Sequence, residues 1–340
     1  MNSFERIKLA LEVKQPDRVP IMEFVIDEKV ARKIIPDFRD IPDFCNRMDM
    51  DAVGCSANFK KEKLGNGLIV DEWGVKYKCN QEVVQHPIEG PVKTFDDLKK
   101  YKPLNPNTPH ILAHIPDIVK RYKNKRAIIF HHRAAFMWSA YLMGFENLLM
   151  SFITQPAFAE SVMDLVFEIN KTIIKNAIKM GVNIVVLGDD YASNIGPFVS
   201  PMIFKKFILP KLKEMVDIIH KEGAYCIKHT DGNIWEIIDM IVNTGIDGLN
   251  PIEPTAGMDI GEVKKKYGNR ICLIGNIDCQ ALLSFQLPEE VDKVVKECIK
   301  KAAPGGGFIL SSSNSIHSSV KPENFIALLN AGRKYGKYSV

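Results

Sequence analysis

The segment Ala224-Tyr-Cys-Ile-Lys-His229-Thr-Asp231-Gly232-Asn233 is apolar at first and ends abruptly in polar residues. Its length and apolar content predict a buried β-strand, followed by a cluster of candidate ligands and proton carriers. Three further apolar segments end in the same way, running into Asp189-Asp190, into Asn250 and Glu253, and into Asn276 and Asp278. Strands that release polar side chains at one common end are typical of a (β/α)8 barrel, whose active site lies at the carboxyl ends of its strands.

The rest of the chain agrees with this architecture. From residue 126 onward, strand-like and helix-like segments alternate, which predicts a parallel sheet with right-handed crossovers. A closed barrel fits better than an open sheet, because at least five successive strands end in polar clusters, whereas open sheets concentrate ligands at one switch point. We therefore expect residues 1–340 to form a single (β/α)8 TIM barrel. Its N-terminal region is elaborated, with an irregular insert at about residues 56–125 and a hairpin from Ile69 to Tyr77.

Composition excludes several classes of function. Hydrophobic content of 46%, charged content of 25% and a net charge of +4 are ordinary values for a globular protein. The lysines are scattered, so we expect no nucleic-acid partner. No apolar run is long enough to span a bilayer, and the charged N-terminus shows no signal peptide, so no membrane partner is expected. The seven cysteines include no CxxC pair. Together these features predict a cytoplasmic protein without a disulfide framework.

His229 and Asp231 are open to three interpretations. An imidazole and a carboxylate can begin a zinc site that other strands and water complete. The two side chains can instead act directly on a substrate, or His229 can form hydrogen bonds in the barrel mouth while Asp231 caps a helix that begins near Ile234. Glu253, held between two prolines, is a candidate ligand or a salt-bridge partner. His317 lies in a Ser-rich segment that could bring its imidazole over the mouth.

Two further groups are candidates for the pocket. Asp189 and Asp190 form a like-charged pair after an apolar strand, and a carboxylate held beside another gains proton affinity, so one of them could serve as a proton donor or base. Alternatively, one of the pair points to solvent. His131, His132 and Arg133 follow the strand that begins at Ala127, and the guanidinium could bind a substrate carboxylate. By the alternation of a strand, only one of the two histidines can face the barrel interior.

Several segments together resemble the uroporphyrinogen decarboxylase superfamily. They are Pro16-Asp-Arg-Val-Pro20, Gly188-Asp-Asp190, Ser200-Pro-Met-Ile-Phe-Lys-Lys-Phe-Ile-Leu-Pro210, Gly275-Asn-Ile-Asp278 and residues 305–323. The resemblance extends over nearly the whole chain and implies a (β/α)8 barrel with its active site at the carboxyl ends of the strands. It leaves the reaction open, because that superfamily contains both decarboxylases and corrinoid-linked methyltransferases.

Two departures from the superfamily patterns help to choose between these reactions. Decarboxylases carry Gln-Ala-Gly-Arg after the Arg-Val-Pro segment, whereas this chain has Met22-Glu23-Phe24-Val25-Ile26-Asp27 without an arginine. Porphyrinogen decarboxylation is therefore not expected. The methyltransferase branch binds zinc through His-x-Cys-Gly and a distant cysteine. Here the corresponding residues are His229-x-Asp231-Gly232, and the distant region reads Ser313-Asn314-Ser315-Ile-His317.

The exchange of cysteine for aspartate predicts a change of chemistry. Carboxylate and imidazole ligands make zinc a harder Lewis acid than thiolates do, which suits an ether or hydroxyl oxygen better than a thiol. The leading hypothesis is a zinc-assisted methyltransferase of the O-demethylase type, which moves a methyl group from a small methoxylated donor to a corrinoid carried by a partner protein. The expected zinc ligands are His229, Asp231, Glu253 and His317. The expected catalytic residues are Asp190, His229 and Asp189, with Asp190 protonating or orienting the leaving oxygen. The expected substrate-binding residues are His131, Arg133, Asn276 and Asn314.

Two alternatives remain open at this point. A metal-free decarboxylase or lyase could use Asp190 and His229 as acid and base on a small carboxylic acid, with Arg133 holding the substrate. A barrel that only binds a corrinoid protein or a tetrapyrrole would need no catalytic groups. The helical shell of a barrel also offers surfaces for a homodimer.

Overall fold

The fold is built on parallel strands that alternate with helices along the chain. A computed structural model describes residues 1–79 and 85–338. The strands are β1 (Ala52–Ser56), β2 (Lys61–Gly65), β3 (Leu68–Asp71), β4 (Lys76–Lys78), β5 (Pro87–Glu89), β6 (Ala127–His132), β7 (Ile184–Gly188), β8 (Tyr225–His229), β9 (Gly248–Asn250), β10 (Cys272–Ile277) and β11 (Phe308–Ser312). A seven-stranded sheet has the order β1-β6-β7-β8-β9-β10-β11, and all its neighbouring strands are parallel. This confirms the parallel sheet predicted from the sequence.

Helices alternate with the strands of the sheet from β6 onward, and three further helices precede β1. They are α1 (Ser3–Leu11), α2 (Glu28–Ile34), α3 (Ile41–Arg47), α4 (Phe95–Lys100), α5 (Ile115–Tyr122), α6 (Phe136–Met143), α7 (Phe145–Thr154), α8 (Pro156–Lys179), α9 (Pro201–Ile203), α10 (Leu209–Lys221), α11 (Ile238–Val242), α12 (Ile260–Tyr267), α13 (Leu282–Phe285), α14 (Pro288–Ala302) and α15 (Pro322–Tyr335). Among the helices of the described residues, none combines the length and apolar character needed to cross a membrane.

The alternation of each strand separates an inner core from an outer one. The inner core is formed by side chains on one face of the strands, among them Ile129, Val186 and Ile227. These side chains belong to the same cluster as Ile7 and Leu11 of α1. Side chains of the other row pack between the sheet and the surrounding helices. His131 and His229 lie two residues beyond Ile129 and Ile227, so they continue the inner row at the carboxyl ends of β6 and β8.

Residues 20–22 bond to the edge strand β11 and to Asp51, the residue that precedes the other edge strand, β1. The Leu310 N–H donates to the Pro20 carbonyl at 2.9 Å, and the Met22 N–H donates to the Leu310 carbonyl at 3.1 Å. On the other side, the Asp51 N–H donates to the Ile21 carbonyl at 2.8 Å. The apolar residues from Val19 to Phe24 predict a short strand. This segment is present only as isolated bridges, because Pro20 has no N–H with which to continue a ladder.

A buried carboxylate at the amino end of β1 fixes this segment. Asp51 is fully buried and accepts hydrogen bonds from Arg6 Nη1 at 2.6 Å and Arg18 Nη1 at 2.8 Å. Its Oδ2 also accepts the Ile21 N–H at 2.8 Å. Asp17 holds Arg6 from the other side. The Asp-Arg-Val-Pro segment of the sequence therefore attaches the chain between the two edge strands.

Two segments differ from the sequence expectation for helices. Ser200-Pro201 and the apolar periodicity that follows predict one long helix to about Lys221. The helix does begin with a Ser200 cap, but a π-helical turn over Phe204–Ile208 separates α9 from α10. Pro210 lacks the N–H that an α-helix needs at that position, which explains the wider turn. The helix expected from Ile234 begins only at Ile238, and Asp231 does not cap it.

The insert predicted at about residues 56–125 contains a second, antiparallel sheet. Its strand order is β2-β3-β4-β5, and Ile69 pairs with Tyr77, which confirms the hairpin. Trp73 lies in the turn of that hairpin and stacks on Trp138 of α6, with ring centroids 4.7 Å apart. This contact places the small sheet beside the helix that follows β6.

Candidate active site

Three side chains from neighbouring strands meet at the carboxyl end of the sheet. Asp190 comes shortly after β7. His229 is the last residue of β8, and Asp231 comes two residues later. One potential ligand atom from each of the three lies within 4.8 Å of the others. His229 Nε2 is 3.7 Å from Asp190 Oδ1 and 3.5 Å from Asp231 Oδ1. Because β7 and β8 are parallel neighbours, their ends necessarily bring these residues together.

Asn250 fixes the orientation of the His229 ring. Its Oδ1 is 2.5 Å from His229 Nδ1, and its Nδ2 donates to the Ile274 carbonyl at 3.1 Å. The second bond sets the amide so that its oxygen faces the imidazole, and Nδ1 therefore carries the proton. The lone pair of Nε2 is then directed to the side where the two carboxylates lie. A histidine oriented in this way through its other nitrogen is typical of metal sites.

Asp231 carries an unsatisfied oxygen into this group. Its Oδ2 accepts a hydrogen bond from Asn314 Nδ2 at 2.5 Å, whereas its Oδ1 is buried and has no hydrogen-bond partner. Burial raises the pKa of Asp231 to about 7; His229 opposes this shift, while Asp190 and Glu253 add to it. A buried carboxylate oxygen without a donor is costly unless a proton or a cation satisfies it. Two carboxylates and one imidazole therefore fit a divalent cation such as zinc.

Asp189 does not belong to this group but contacts the backbone at the start of α6. It is fully buried, and its two oxygens accept the backbone N–H groups of Ala134 at 2.6 Å and Met137 at 2.8 Å. These bonds fix the start of α6 after β6. The sequence could not distinguish Asp189 from Asp190, and the structure gives Asp189 a structural environment and Asp190 a place beside His229.

Replacing Asp189 with asparagine is expected to destabilise the metal-free protein by about 1–3 kcal/mol, because the new amide NH2 would face one of two buried backbone N–H donors. Thermal unfolding monitored by circular dichroism measures the change. Asp190→Asn is the matched control and should change stability less, since the Asp190 side chain is partly exposed. A loss of activity in Asp189→Asn at unchanged stability would show that Asp189 is catalytic after all.

Lys228 was not predicted as a functional residue, but it organises the same strand ends. It is fully buried, and Nζ donates to the carbonyls of Leu187 at 3.1 Å and Asp189 at 2.5 Å, and to that of His229. Burial lowers the pKa of Lys228 to about 8, against the raising effect of Asp189 and Asp190. A lysine in an otherwise apolar strand was the available signal. Asn250 could also have been found, because it pairs with His229 in the β8–β9 register.

The other predicted ligands lie outside the group of three. Glu253 accepts hydrogen bonds from the Gly232 N–H at 2.7 Å and from Thr255 Oγ1 at 2.8 Å. His317 has its Nε2 3.2 Å from the Cys279 carbonyl, and its Nδ1 accepts the Ser319 N–H at 3.3 Å. Neither ring nitrogen of His317 therefore has a free lone pair for a metal in this structure.

The predicted substrate-binding asparagines differ in their surroundings. Asn314 holds Asp231 and so lies at the group itself. Asn276 is buried, where its Nδ2 donates to the Ile252 carbonyl at 3.0 Å and its Oδ1 accepts from Cys298 Sγ at 3.4 Å. Both polar atoms of Asn276 are thus used within the protein.

His131 contributes a neutral imidazole to the inner face. Its ring packs edge-on against Phe24, which also contacts the ring of His229. Its Nε2 is buried without a partner, and burial, followed by the charge of His229, lowers the pKa of His131 to about 4. A Cβ on Gly54 would come within 2.9 Å of that nitrogen, so the glycine provides the space for the ring. His132 instead bonds Asn170 on the outer face, as the alternation predicted.

Arg133 lies just beyond these histidines. Its Nη2 donates to the Tyr141 hydroxyl at 3.3 Å, and its guanidinium carbon lies 5.3 Å from the centroid of the Tyr141 ring. Its Nε is buried and has no hydrogen-bond partner. Burial lowers the pKa of Arg133, but Tyr141, Asp189 and Asp190 raise it, and the net direction is upward. The guanidinium is therefore charged.

Comparisons with known proteins identify the family of the chain and proteins of similar fold. A family model described as uroporphyrinogen decarboxylase (URO-D) matches residues 68–335. A protein named uroporphyrinogen decarboxylase from Shewanella piezotolerans is 22% identical over 264 residues, which cover 74% of this chain and 72% of the relative. One of the same name from Coxiella burnetii is 24% identical over 53% of this chain, and the match spans about half of that relative. The structure of a methyltransferase from Methanosarcina mazei superposes with a TM-score of 0.77 at 17% identity, covering 98% of this chain and 99% of that one.

Proposed function

Since this chain belongs to the uroporphyrinogen decarboxylase (URO-D) family, we propose that it is a zinc-dependent methyltransferase of that family. The methyl group moves from a small methoxylated donor to a corrinoid carried by a partner protein. The observation that carries the proposal is the group formed by Asp190, His229 and Asp231, with the buried Asp231 Oδ1 left without a donor. The likeness of the fold to a methyltransferase is consistent with it. We also infer that residues 20–22 act as the eighth strand of a closed barrel, because they bond to the edge strand β11 and to Asp51, which precedes the other edge strand.

The three side chains of the group are the proposed zinc ligands. We assign Asp190 to the metal rather than to proton transfer, because its Oδ1 lies within the same set of ligand atoms as His229 Nε2. Asn250 holds the imidazole and Asn314 holds the Asp231 carboxylate, so both act as positioning residues. Bound zinc would supply a Lewis acid that polarises the ether oxygen of the donor. A small molecule can approach because all three side chains are partly exposed.

A metal-free decarboxylase is the second candidate function, favoured by the names of the relatives. The surroundings of Glu23 argue against a porphyrinogen substrate. This residue lies in the segment where the decarboxylase pattern has an arginine, and it is buried. It accepts hydrogen bonds from Ser311 Oγ at 3.2 Å, from the Ser312 N–H at 2.8 Å and from Ser312 Oγ at 2.6 Å. A carboxyl group held in this way supplies no positive charge for a substrate with several carboxylates.

A product assay distinguishes the two functions. The protein is incubated with zinc, chemically reduced cobalamin and a panel of methoxylated benzoates. The formation of methylcobalamin is followed by its absorbance, and the carbon dioxide released is measured in the same samples. We expect methylcobalamin and the demethylated phenol in equal amounts, without carbon dioxide. Carbon dioxide release in the absence of methyl transfer would establish the decarboxylase and contradict the proposal.

The raised pKa of Asp231 gives the proposed site a characteristic pH dependence. Protons compete with the metal for a carboxyl group whose pKa is about 7, so the deprotonated form becomes scarcer as the pH falls below 7. Zinc affinity is therefore expected to fall about tenfold per pH unit below pH 7 from this group alone, and to level off above it. Competition with a chromophoric chelator between pH 5.5 and 8 measures the affinity. Affinity that stays constant from pH 5.5 to 7 would contradict the assignment of Asp231 as a ligand.

A further inference from the structure

Arg133 differs from the other arginines that the structure describes. Each of those binds a carboxylate, a side-chain amide oxygen or a backbone carbonyl, as Arg6, Arg126 and Arg333 illustrate. Arg133 instead donates a single hydrogen bond to the neutral hydroxyl of Tyr141, and its buried Nε has no acceptor. A partly buried guanidinium without an anion is costly, so an acceptor from outside the protein would be bound favourably there.

A second buried donor without an acceptor belongs to the adjoining aromatic cluster. Trp73 Nε1 is buried and has no hydrogen-bond partner. Trp73 stacks on Trp138 at 4.7 Å, and Trp138 packs edge-on against Tyr141 at 5.4 Å between centroids. Tyr141 in turn contacts the Arg133 guanidinium. Arg133 Nε and Trp73 Nε1 are thus two buried donors without acceptors, one at each end of a continuous aromatic cluster. Both could donate a hydrogen bond to the same kind of ligand, a hydrogen-bond acceptor.

This cluster lies next to the proposed catalytic group. Arg133 directly follows β6, the neighbour of β7 in the sheet, and its charge interacts with Asp189 and Asp190. His131, two residues earlier, faces the inner side and shares Phe24 with His229. No carboxylate of the described residues lies within salt-bridge distance of Arg133, whereas Arg6, Arg18 and Arg121 each pair with one.

We propose that Arg133, with Tyr141 and Trp73, forms an anion subsite that binds a carboxylate of the methyl donor. The substrate class is then a small methoxylated carboxylic acid. This inference rests on the proposed function, because it identifies the part of the donor that does not react. A planar guanidinium suits a carboxylate, which it can bind through two parallel hydrogen bonds. The carboxylate would accept a hydrogen bond from the buried Arg133 Nε and neutralise the charge of the partly buried guanidinium.

Equilibrium binding tests the subsite without any corrinoid. Calorimetry compares the 2-, 3- and 4-methoxybenzoates with the corresponding methoxybenzamides, which have the same shape but no charge. We expect the best benzoate to bind wild-type protein at least about tenfold more tightly than its amide, and Arg133→Gln to weaken it by roughly 10- to 100-fold. Arg133→Lys, which keeps the charge but not the planar pair of donors, should fall between them. Arg126→Gln, at the opposite end of β6, is the matched control and should bind like wild type.

Three outcomes would overturn the inference: no methoxybenzoate binds, the benzoates bind no more tightly than the amides, or Arg133→Gln keeps the preference. If Arg133→Gln does not fold, the inference is tested by comparing the binding of acids and amides to the wild-type protein and to Arg133→Lys. The outcome is separable from that of the proposed function. If the protein binds the acids more tightly than the amides but transfers no methyl group, the anion subsite stands and the proposed methyltransferase function is wrong. If it transfers methyl groups from neutral donors and shows no preference for the acids, the function stands and the subsite is wrong.

Discussion

Replacing His229 with alanine is expected to abolish zinc binding and to lower the rate of methyl transfer by about three orders of magnitude or more, because the loss of Lewis-acid assistance removes several kcal/mol of transition-state stabilisation. His229 Nε2 is the only nitrogen in the group, and Asn250 already holds the ring in the orientation that a ligand needs. Zinc content by mass spectrometry and single-turnover rates measure both effects. The rates should be compared at equal concentrations of folded protein.

His220→Ala is the matched control for this experiment. His220 is an exposed histidine on α10, and its Nε2 lies 2.8 Å from a carboxylate oxygen of Asp247. Asp247 precedes β9 and so lies at the amino end of the strands, whereas the group of three lies at their carboxyl end. Its removal should leave zinc content and methyl transfer unchanged. If His229→Ala retained stoichiometric zinc, or transferred methyl groups at the wild-type rate, His229 would not be a ligand and the assignment of the site would be wrong.

Replacing Asp51 with alanine is expected to destabilise the protein by about 3–5 kcal/mol, the largest effect on stability that we predict for one substitution. Asp51 is fully buried, and its removal would leave the charges of Arg6 and Arg18 without their shared partner. It would also free the Ile21 N–H, which helps to hold residues 20–22 between the two edge strands. Urea unfolding followed by tryptophan fluorescence measures the change.

Asp217→Ala provides the control for the loss of an ion pair as such. Asp217 pairs with Lys213 on the exposed face of α10, and surface pairs of this kind contribute little to stability. We expect no measurable shift of the urea midpoint for this variant. A midpoint for Asp51→Ala equal to that of wild type would show that the buried network does not hold the N-terminal segment in place.

The sequence predicted the sheet well because its signal is local. Each strand of the sheet is an apolar run of limited length, and Gly223 ends α10 with a positive φ as a glycine after a helix commonly does. The boundaries of α12 and α14 follow directly from apolar periodicity and from Pro288. Two irregularities were not predicted, and both arise where proline lacks a backbone N–H. Pro20 interrupts the strand expected there, and Pro210 leads to the π-helical turn before α10.

The site was predicted less completely because side-chain partners depend on tertiary contacts. His229 and Asp231 were found from their position after a strand, and the structure brings them together with Asp190. Whether Asp189 or Asp190 faces the group depends on where the alternation of β7 ends, which the sequence does not specify. Glu253 and His317 lie on loops, and the partners that occupy their polar atoms come from segments whose placement could not be inferred.

If zinc at the group of three assists methyl transfer, a single turnover must depend on zinc. Protein is stripped with a chelator, and the rate of methylcobalamin formation from a methoxylated benzoate and reduced cobalamin is measured before and after one equivalent of zinc is restored. We predict a rate in the zinc-loaded protein about a thousandfold above that of the stripped protein, with the effect lost in His229→Ala. Equal rates with and without zinc would contradict the account.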